Sequence, residues 1–390
     1  MACLTVTSVA LTLFTGGFDF MLPLWVTGEQ AGDLKMSAAE FAHLRSLRFA
    51  GVSLGAIALG ILSDRFGQRR VGIWSLAAMA VLVIPLGGAG KTYLYVTMPL
   101  LGAAVSTVFV NLNTLVQQVS SRRQGLANSI YRGSGAGAGV LVPWLAATLA
   151  VAIGGYGGVM PWLAVAAVVT AAALWLHPEE ESTGPYLGFR RELGRVKASF
   201  LAPLRERRLM WFWVVSLLWG NAMAAVGAFG AIRLTRVLGM ADTDFGQAMT
   251  IGGVVVFAAT LATGLVIDRL SLRRLHAVLG FLAAGCSVIM GLTDHVVLTV
   301  VAMVLAGLCG TLLVGPGSMW ISREAGRASQ SAVFFVQKIL SAVVFASAMF
   351  LLGYLEPLVG GMKPLLLWSG LLAAAGALVF LALPEPPRPT

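Results

Sequence analysis

The chain has 390 residues, 58% of them hydrophobic and only 11% charged, and its mean hydropathy is +0.85. Soluble domains carry about 25% charged residues, so the composition excludes a soluble globular protein and points to an integral membrane one. The net charge of +10 is no sign of nucleic acid: the basic residues sit in short turns between apolar runs, where they set topology.

A spanning helix needs about 20 mostly apolar residues. The first run lacks a basic leader and is long enough to span, so it reads as a helix and not as a cleaved signal. Twelve spans follow in order: 3–27, 41–63, 71–89, 93–118, 126–150 and 158–177, then 209–232, 246–267, 275–292, 296–320, 328–354 and 364–383. The expected fold is therefore all-α, with two six-helix bundles at 1–177 and 209–383, a cytoplasmic linker at 178–208 and a disordered tail at 384–390. The turns on one side hold 18 Lys or Arg; the other side has five: Lys35, Lys91, Arg233, Arg236 and Lys363. That asymmetry places both termini in the cytoplasm. The linker segment Tyr186–Lys197 reads either as a solvated connection or as a short amphipathic helix on the anionic inner leaflet. Cys3, Cys286 and Cys309 lie in apolar runs without CxxC spacing, so neither a disulfide nor a metal site is expected. The segment Pro85–Thr92 ends like a phosphate-binding loop but has Pro85 where the first Gly is required. No other nucleotide-binding motif appears in the sequence.

The turn after the second span reads Gly60-Ile-Leu-Ser-Asp64-Arg65-Phe-Gly67-Gln68-Arg69-Arg70. A copy stands 204 residues later, as Gly264-Leu-Val-Ile-Asp268-Arg269-Leu-Ser271-Leu-Arg273-Arg274. With Ala58 matching Ala262 just before them, the two stretches share six identities at one offset, which makes the chain two repeats. The loop resembles the signature between helices 2 and 3 of the major facilitator superfamily, G-x-x-x-D-R-x-G-R-[KR]-[KR], with its weaker echo between helices 8 and 9. Gln68 departs from it in the first copy and Ser271 in the second. The resemblance implies a twelve-helix secondary transporter, monomeric, working by alternating access and without a cofactor. It also implies gating roles for Gly60, Asp64, Arg65, Gly67, Arg69 and Arg70, and for Gly264, Asp268, Arg269, Arg273 and Arg274. In that scheme Asp64 faces the start of helix 11, around Arg327–Gln330, and Asp268 the start of helix 5, around Gln124–Ala127. Each carboxylate would gain about 0.3–1 kcal/mol from the helix dipole when the inner side is shut.

Ionisable side chains inside spans are costly, and they line cavities or pair. At about 1.5 Å per residue, Asp19 and Arg48 both lie roughly 23–24 Å from the inner face, so they are expected to pair, while Arg45 snorkels outward. Arg132 and Lys338 fall on corresponding helices of the two repeats, because the offset maps Arg132 to Val336. Asn111, Tyr131, Asn221 and Gln337 complete the candidate substrate set. Phe18, Phe20 and Trp25 read as packing residues. In helix 5 the run Gly133–Gly139 permits close helix approach, but the Gly-Pro pair typical of drug/proton antiporters of the superfamily is absent.

Arg48, Arg132 and Lys338 against Asp19 leave a cationic excess, which an anionic substrate would balance. The expected function is proton-coupled transport of a small organic anion, a carboxylate, across a bacterial inner membrane. Asp19 is the candidate proton carrier. Burial favours its neutral form and Arg48 its charged form, so a purely structural Asp19 stays open. Two other readings also stay open: a proton-driven exporter of amphipathic compounds, and a receptor or scaffold that keeps the fold without transport. An enzyme is not expected, since no paired base and nucleophile and no metal-ligand cluster is present.

Overall fold

The computed structural model describes residues 2–28, 34–118, 124–177, 207–266 and 271–383, with 191 and 194 besides. The helices are α1 (Ala2–Thr27), α2 (Ala38–Phe66), α3 (Gln68–Val83), α4 (Lys91–Gln118), α5 (Gln124–Ile153) and α6 (Met160–Trp175). They are followed by α7 (Arg207–Ile232), α8 (Asp242–Val266), α9 (Leu272–Leu292), α10 (Val296–Leu355) and α11 (Met362–Ala382). Among the described residues, eight helical stretches are long and apolar enough to cross a membrane, and Gly137–Ile153 and Ile339–Leu355 are shorter apolar ones. Their outer faces carry large apolar side chains such as Val81, Trp162 and Trp368, all more than half exposed. A bilayer tolerates such a surface where water would not.

Helix α10 differs from the two separate spans expected at 296–320 and 328–354. Its helical run is unbroken for 60 residues, and if straight it would be about 90 Å long, three hydrocarbon thicknesses. Its two ends nevertheless meet one place on α7: Gly310 abuts Met223, and Val344 abuts Gly220. The run therefore contributes two spans, Val296–Leu313 and Ile339–Leu355, side by side against α7.

The chain forms two compact units. The first comprises Met1–Ser37, Leu47–Leu193 and Ala241–Thr250; the second comprises Ala38–Ser46, Gly194–Met240 and Ile251–Thr390. In the first unit α1 packs on α5 and α6, and α3 on α4 and α6. In the second, α7 packs on α10 and α11, and α9 on the same two helices. At the 204-residue offset these are the same pairings. The first turns of α2 and α8 belong to the opposite unit from the rest of their helices, and they too correspond at that offset.

Lipid supplies little hydrophobic drive between helices, so small residues that admit close packing carry the contacts. A methyl group on Gly51 would collide with the carbonyl of Pro99, on Gly55 with Ala103, and on Gly102 with the carbonyl of Arg48, which fixes the α2–α4 crossing. From the glycine run of α5, Gly135 seats against α1, where a Cβ would stand 2.7 Å from Ser8 Oγ and 2.9 Å from Thr12 Oγ1.

Candidate functional site

Asp19 of α1 and Arg48 of α2 form a two-pronged ion pair in the first unit. Arg48 Nη1 donates to Asp19 Oδ1, and Nη2 donates to Oδ2 at 3.3 Å. The guanidinium carbon lies 5.2 Å from the centroid of the Phe18 ring. Phe18 is fully buried and stacks at 5° on Phe14, with centroids 6.4 Å apart. The Arg48 side chain is 10% exposed and that of Asp19 43%. The aromatic face and the carboxylate together hold the planar guanidinium in place. Asp19 is its more accessible partner, so an incoming group would meet the carboxylate first.

Arg45 does not snorkel. Its Nη1 donates to the Gly227 carbonyl of α7 at 2.6 Å, and its guanidinium lies 5.8 Å from the Phe41 centroid, both within the second unit. A helix carbonyl retains a second lone pair, and this one supplies a partner nearer than the interface.

Asn111 is 2% exposed, its Nδ2 has no hydrogen-bond partner among the described residues, and it lies beside Gly72 of α3. It is therefore packed into the contact between α3 and α4. Tyr131 and Arg132 lie on α5, Asn221 on α7, and Gln337 and Lys338 on α10, but their side chains fall outside the described residues, as do Gly60, Asp64, Arg65 and Gly264. Asp268 and Arg269 lie outside them altogether, and so do the side chains at 124–127 and 327–330.

The repeated turn is built by two different devices. Between α2 and α3 the whole connection is Gly67, at φ 89° and ψ 142°, with Gly67 N–H donating to Ser63 O at 3.0 Å. A Cβ there would meet nothing within 4 Å, so glycine is required by the dihedral and not by space. In the second copy Ser271 occupies this position at φ −70° and ψ 115°, and its Oγ accepts the Arg274 N–H at the start of α9. A hydroxyl that caps the next helix replaces the glycine, which accounts for the departure from the signature.

Arg69 and Arg273, expected in the gate, hold helix ends inside their own units. Arg69 Nη2 donates to Trp175 O at the end of α6 at 2.7 Å, and Arg273 Nη1 to Leu383 O just past α11 at 3.5 Å. Each supplies a cation to carbonyls that a helix C-terminus leaves unpaired. Arg70 and Arg274 are exposed.

One charge cluster escaped sequence reasoning. Arg233, counted there among loop residues, is 1% exposed at the start of the π-helical turn Arg233–Val237. It donates to Thr293 O at 2.7 Å and to Asp294 Oδ1 at 2.9 Å, while Lys363 donates to Asp294 Oδ2 at 2.6 Å. The Lys363 hydrogen bond, with the charges of Lys363 and Arg233, holds the Asp294 carboxyl below its ordinary range against a contrary pull from desolvation. The available signal was Asp294, an acidic residue in the turn after α9, at the same end of the second repeat as the cations Arg233 and Lys363.

The Major Facilitator Superfamily profile matches residues 4–343. The chain belongs to that superfamily. Among solved structures, a mutant of the nucleoside transporter NupG superposes with a TM-score of 0.83 at 13% identity, covering 98% of this chain and 99% of that one. A POT family transporter in complex with a thioalcohol-conjugated peptide gives 0.77 at 13% identity, covering 98% and 95%. At such identities the likeness shows the fold alone. A gallate transporter of Pseudomonas putida is 27% identical over 142 residues, which are 35% of this chain and 31% of that relative. The protein is thus a multi-pass integral membrane protein of a transporter superfamily, not an enzyme.

Proposed function

We propose that this superfamily member carries a small aromatic carboxylate across the membrane by alternating access, coupled to protons through Asp19. The observation that carries the reading is the Arg48–Asp19 pair. A guanidinium offers two parallel donors that match a carboxylate in plane, and here Asp19 occupies both. Protonation of Asp19 removes its charge and leaves a shielded cation in need of an anion. A substrate carboxylate supplies one. Proton and anion then travel together, and release of both on the far side restores the internal pair. Gallate is itself an aromatic carboxylate, so the likeness to a gallate transporter supports the same chemical class. Lys338 and Arg132 are proposed to add cations from the two repeats, with Tyr131, Asn221 and Gln337 beside them.

In this reading two six-helix bundles, 1–177 and 209–383, rock about a pseudo-twofold axis, with both termini and the linker in the cytoplasm of a bacterial cell and the carrier monomeric in its inner membrane. The helix pairings repeated within each unit support the likeness of the two halves that this reading needs. Asp64 and Asp268 are the inner gate. The outer gate is formed by the displaced first turns of α2 and α8: α2 packs on Gly353, and α8 places Gly246 against Pro143 and Ala147.

The test is calorimetric titration of the purified protein with gallate and benzoate at pH 6, alongside Arg48→Ala and Arg48→Lys. The expected result is binding that the alanine variant loses and the lysine variant weakens, since a point charge replaces a planar fork. Equal binding by the native protein and Arg48→Ala would remove Arg48 from the site.

A further inference from the structure

The second unit contains a cavity of about 540 Å³ lined by α7, α9, both spans of α10 and α11 and open on one side. Its walls are aromatic: Phe212, Trp213, Trp219, His276, Phe345 and Phe380 all line it. The volume falls within the range of small-molecule sites, about 300–1,000 Å³. Glycines make the room. Gly220 and Gly307 line it, and a Cβ at Gly307 would meet nothing within 4 Å among the described residues, whereas Gly280 and Gly310 bring Ala377 and Met223 close.

No Asp, Glu, Lys or Arg is among the described lining residues, so a charged ligand would be buried without a partner, at high cost. Polar chemistry is nevertheless present. The indole N–H groups of Trp213 and Trp219 are shut off from solvent and have no acceptor among the described residues. Buried donors of this kind normally find one. His276 donates from Nδ1 to Leu272 O at 3.1 Å, since a carbonyl can only accept, and its ring stacks on Phe380 at a centroid separation of 4.5 Å. In the neutral ring Nε2 is then an acceptor.

From this arrangement we infer a binding site in the second unit for an uncharged aromatic molecule of one or two rings that carries an oxygen acceptor. The rings stack among the aromatic walls, and the oxygen takes an indole N–H in a place where water does not compete. The site is separate from the Arg48–Asp19 pair, and its ligand differs in charge from the proposed substrate, so either assignment can fail without the other.

The probes are 2-acetylnaphthalene and 2-ethylnaphthalene, which are alike in size but differ in having an acceptor. Binding is titrated to the full-length protein in lipid nanodiscs. The ketone should bind saturably at one site, about three- to tenfold more tightly than the hydrocarbon, as one hydrogen bond implies. In the Trp213→Phe, Trp219→Phe double variant the two probes should bind alike. Gly307→Leu, which grows into the opening without a clash, should weaken both and keeps the test decisive if the double variant fails to fold. Three results would overturn the inference: no saturable binding in nanodiscs, as when a lipid chain fills the space; equal affinity of the native protein for both probes; or binding unaffected by Gly307→Leu.

Discussion

Gly67→Ala isolates the one residue on which the first copy of the repeated turn depends. A Cβ at Gly67 meets nothing within 4 Å, so no clash contributes. The whole effect comes from forcing alanine to φ 89° and ψ 142°, near a region that only glycine populates freely, at about 1–3 kcal/mol. Ser271 provides the internal control at φ −70°, where any residue is comfortable. Ser271→Ala should cost about 1 kcal/mol through the lost cap, and Ser271→Gly only a few tenths. Unfolding of the three purified variants in mild detergent should rank them in that order, with Gly67→Ala the least stable. Since the two turns occupy equivalent places in the repeats, the ranking reports backbone conformation and not location. A Gly67→Ala protein as stable as the native one, or less affected than Ser271→Ala, would refute the reasoning.

Other outcomes follow from the same geometry. The Asp294 carboxyl is held low by Lys363 and Arg233, so its contribution to stability is fully present above the unfolded-state value, about 3.9, and is lost as pH falls through the lower folded-state value. Thermal unfolding of the native protein should therefore lose stability on acidification below about pH 4 more steeply than that of Asp294→Asn, and parallel curves would contradict the role of the cluster. Arg69→Ala should cost about 0.3–1 kcal/mol by uncovering the end of α6, measurable by chemical denaturation, and no loss would mean that the Trp175 contact contributes nothing. At the start of α2, a Cβ on Gly353 would stand 2.8 Å from both Ala39 O and His43 Cδ2. Gly353→Leu should raise labelling of an Ala39→Cys background by an impermeant maleimide, whereas unchanged labelling would show that this contact does not cover the start of α2.

The parts of this molecule legible in the sequence were those set by period, length and charge. Apolar runs located the helices, and depth counting brought Asp19 opposite Arg48, because both are fixed by rise per residue along helices that must cross one bilayer. The glycine run of α5 announced a close contact, which Gly135 makes with α1. What stayed hidden depends on which helix ends become neighbours. Arg69 and Arg273 sit in a family signature, but nothing local reveals that α6 and α11 end beside them. Arg45 was expected outside because the Gly227 carbonyl is 182 residues away in sequence. Arg233 looked like a loop charge because the turn that buries it and its acidic partner Asp294 come from separate segments. The aromatic cavity was illegible for the same reason: its lining comes from four helices, and its volume rests on glycines whose role is what they leave unfilled.

The account rests on a carboxylate and a proton sharing Arg48 and Asp19, and transport in sealed vesicles tests this most directly. Native protein would be reconstituted in liposomes with a trapped pH-sensitive dye, and an inward gallate gradient applied without a membrane potential. The account predicts that gallate entry acidifies the interior, that Asp19→Asn abolishes the proton movement, and that Arg48→Ala abolishes entry. Gallate-driven acidification by Asp19→Asn equal to that of the native protein, or no gallate entry by the native protein, would contradict it.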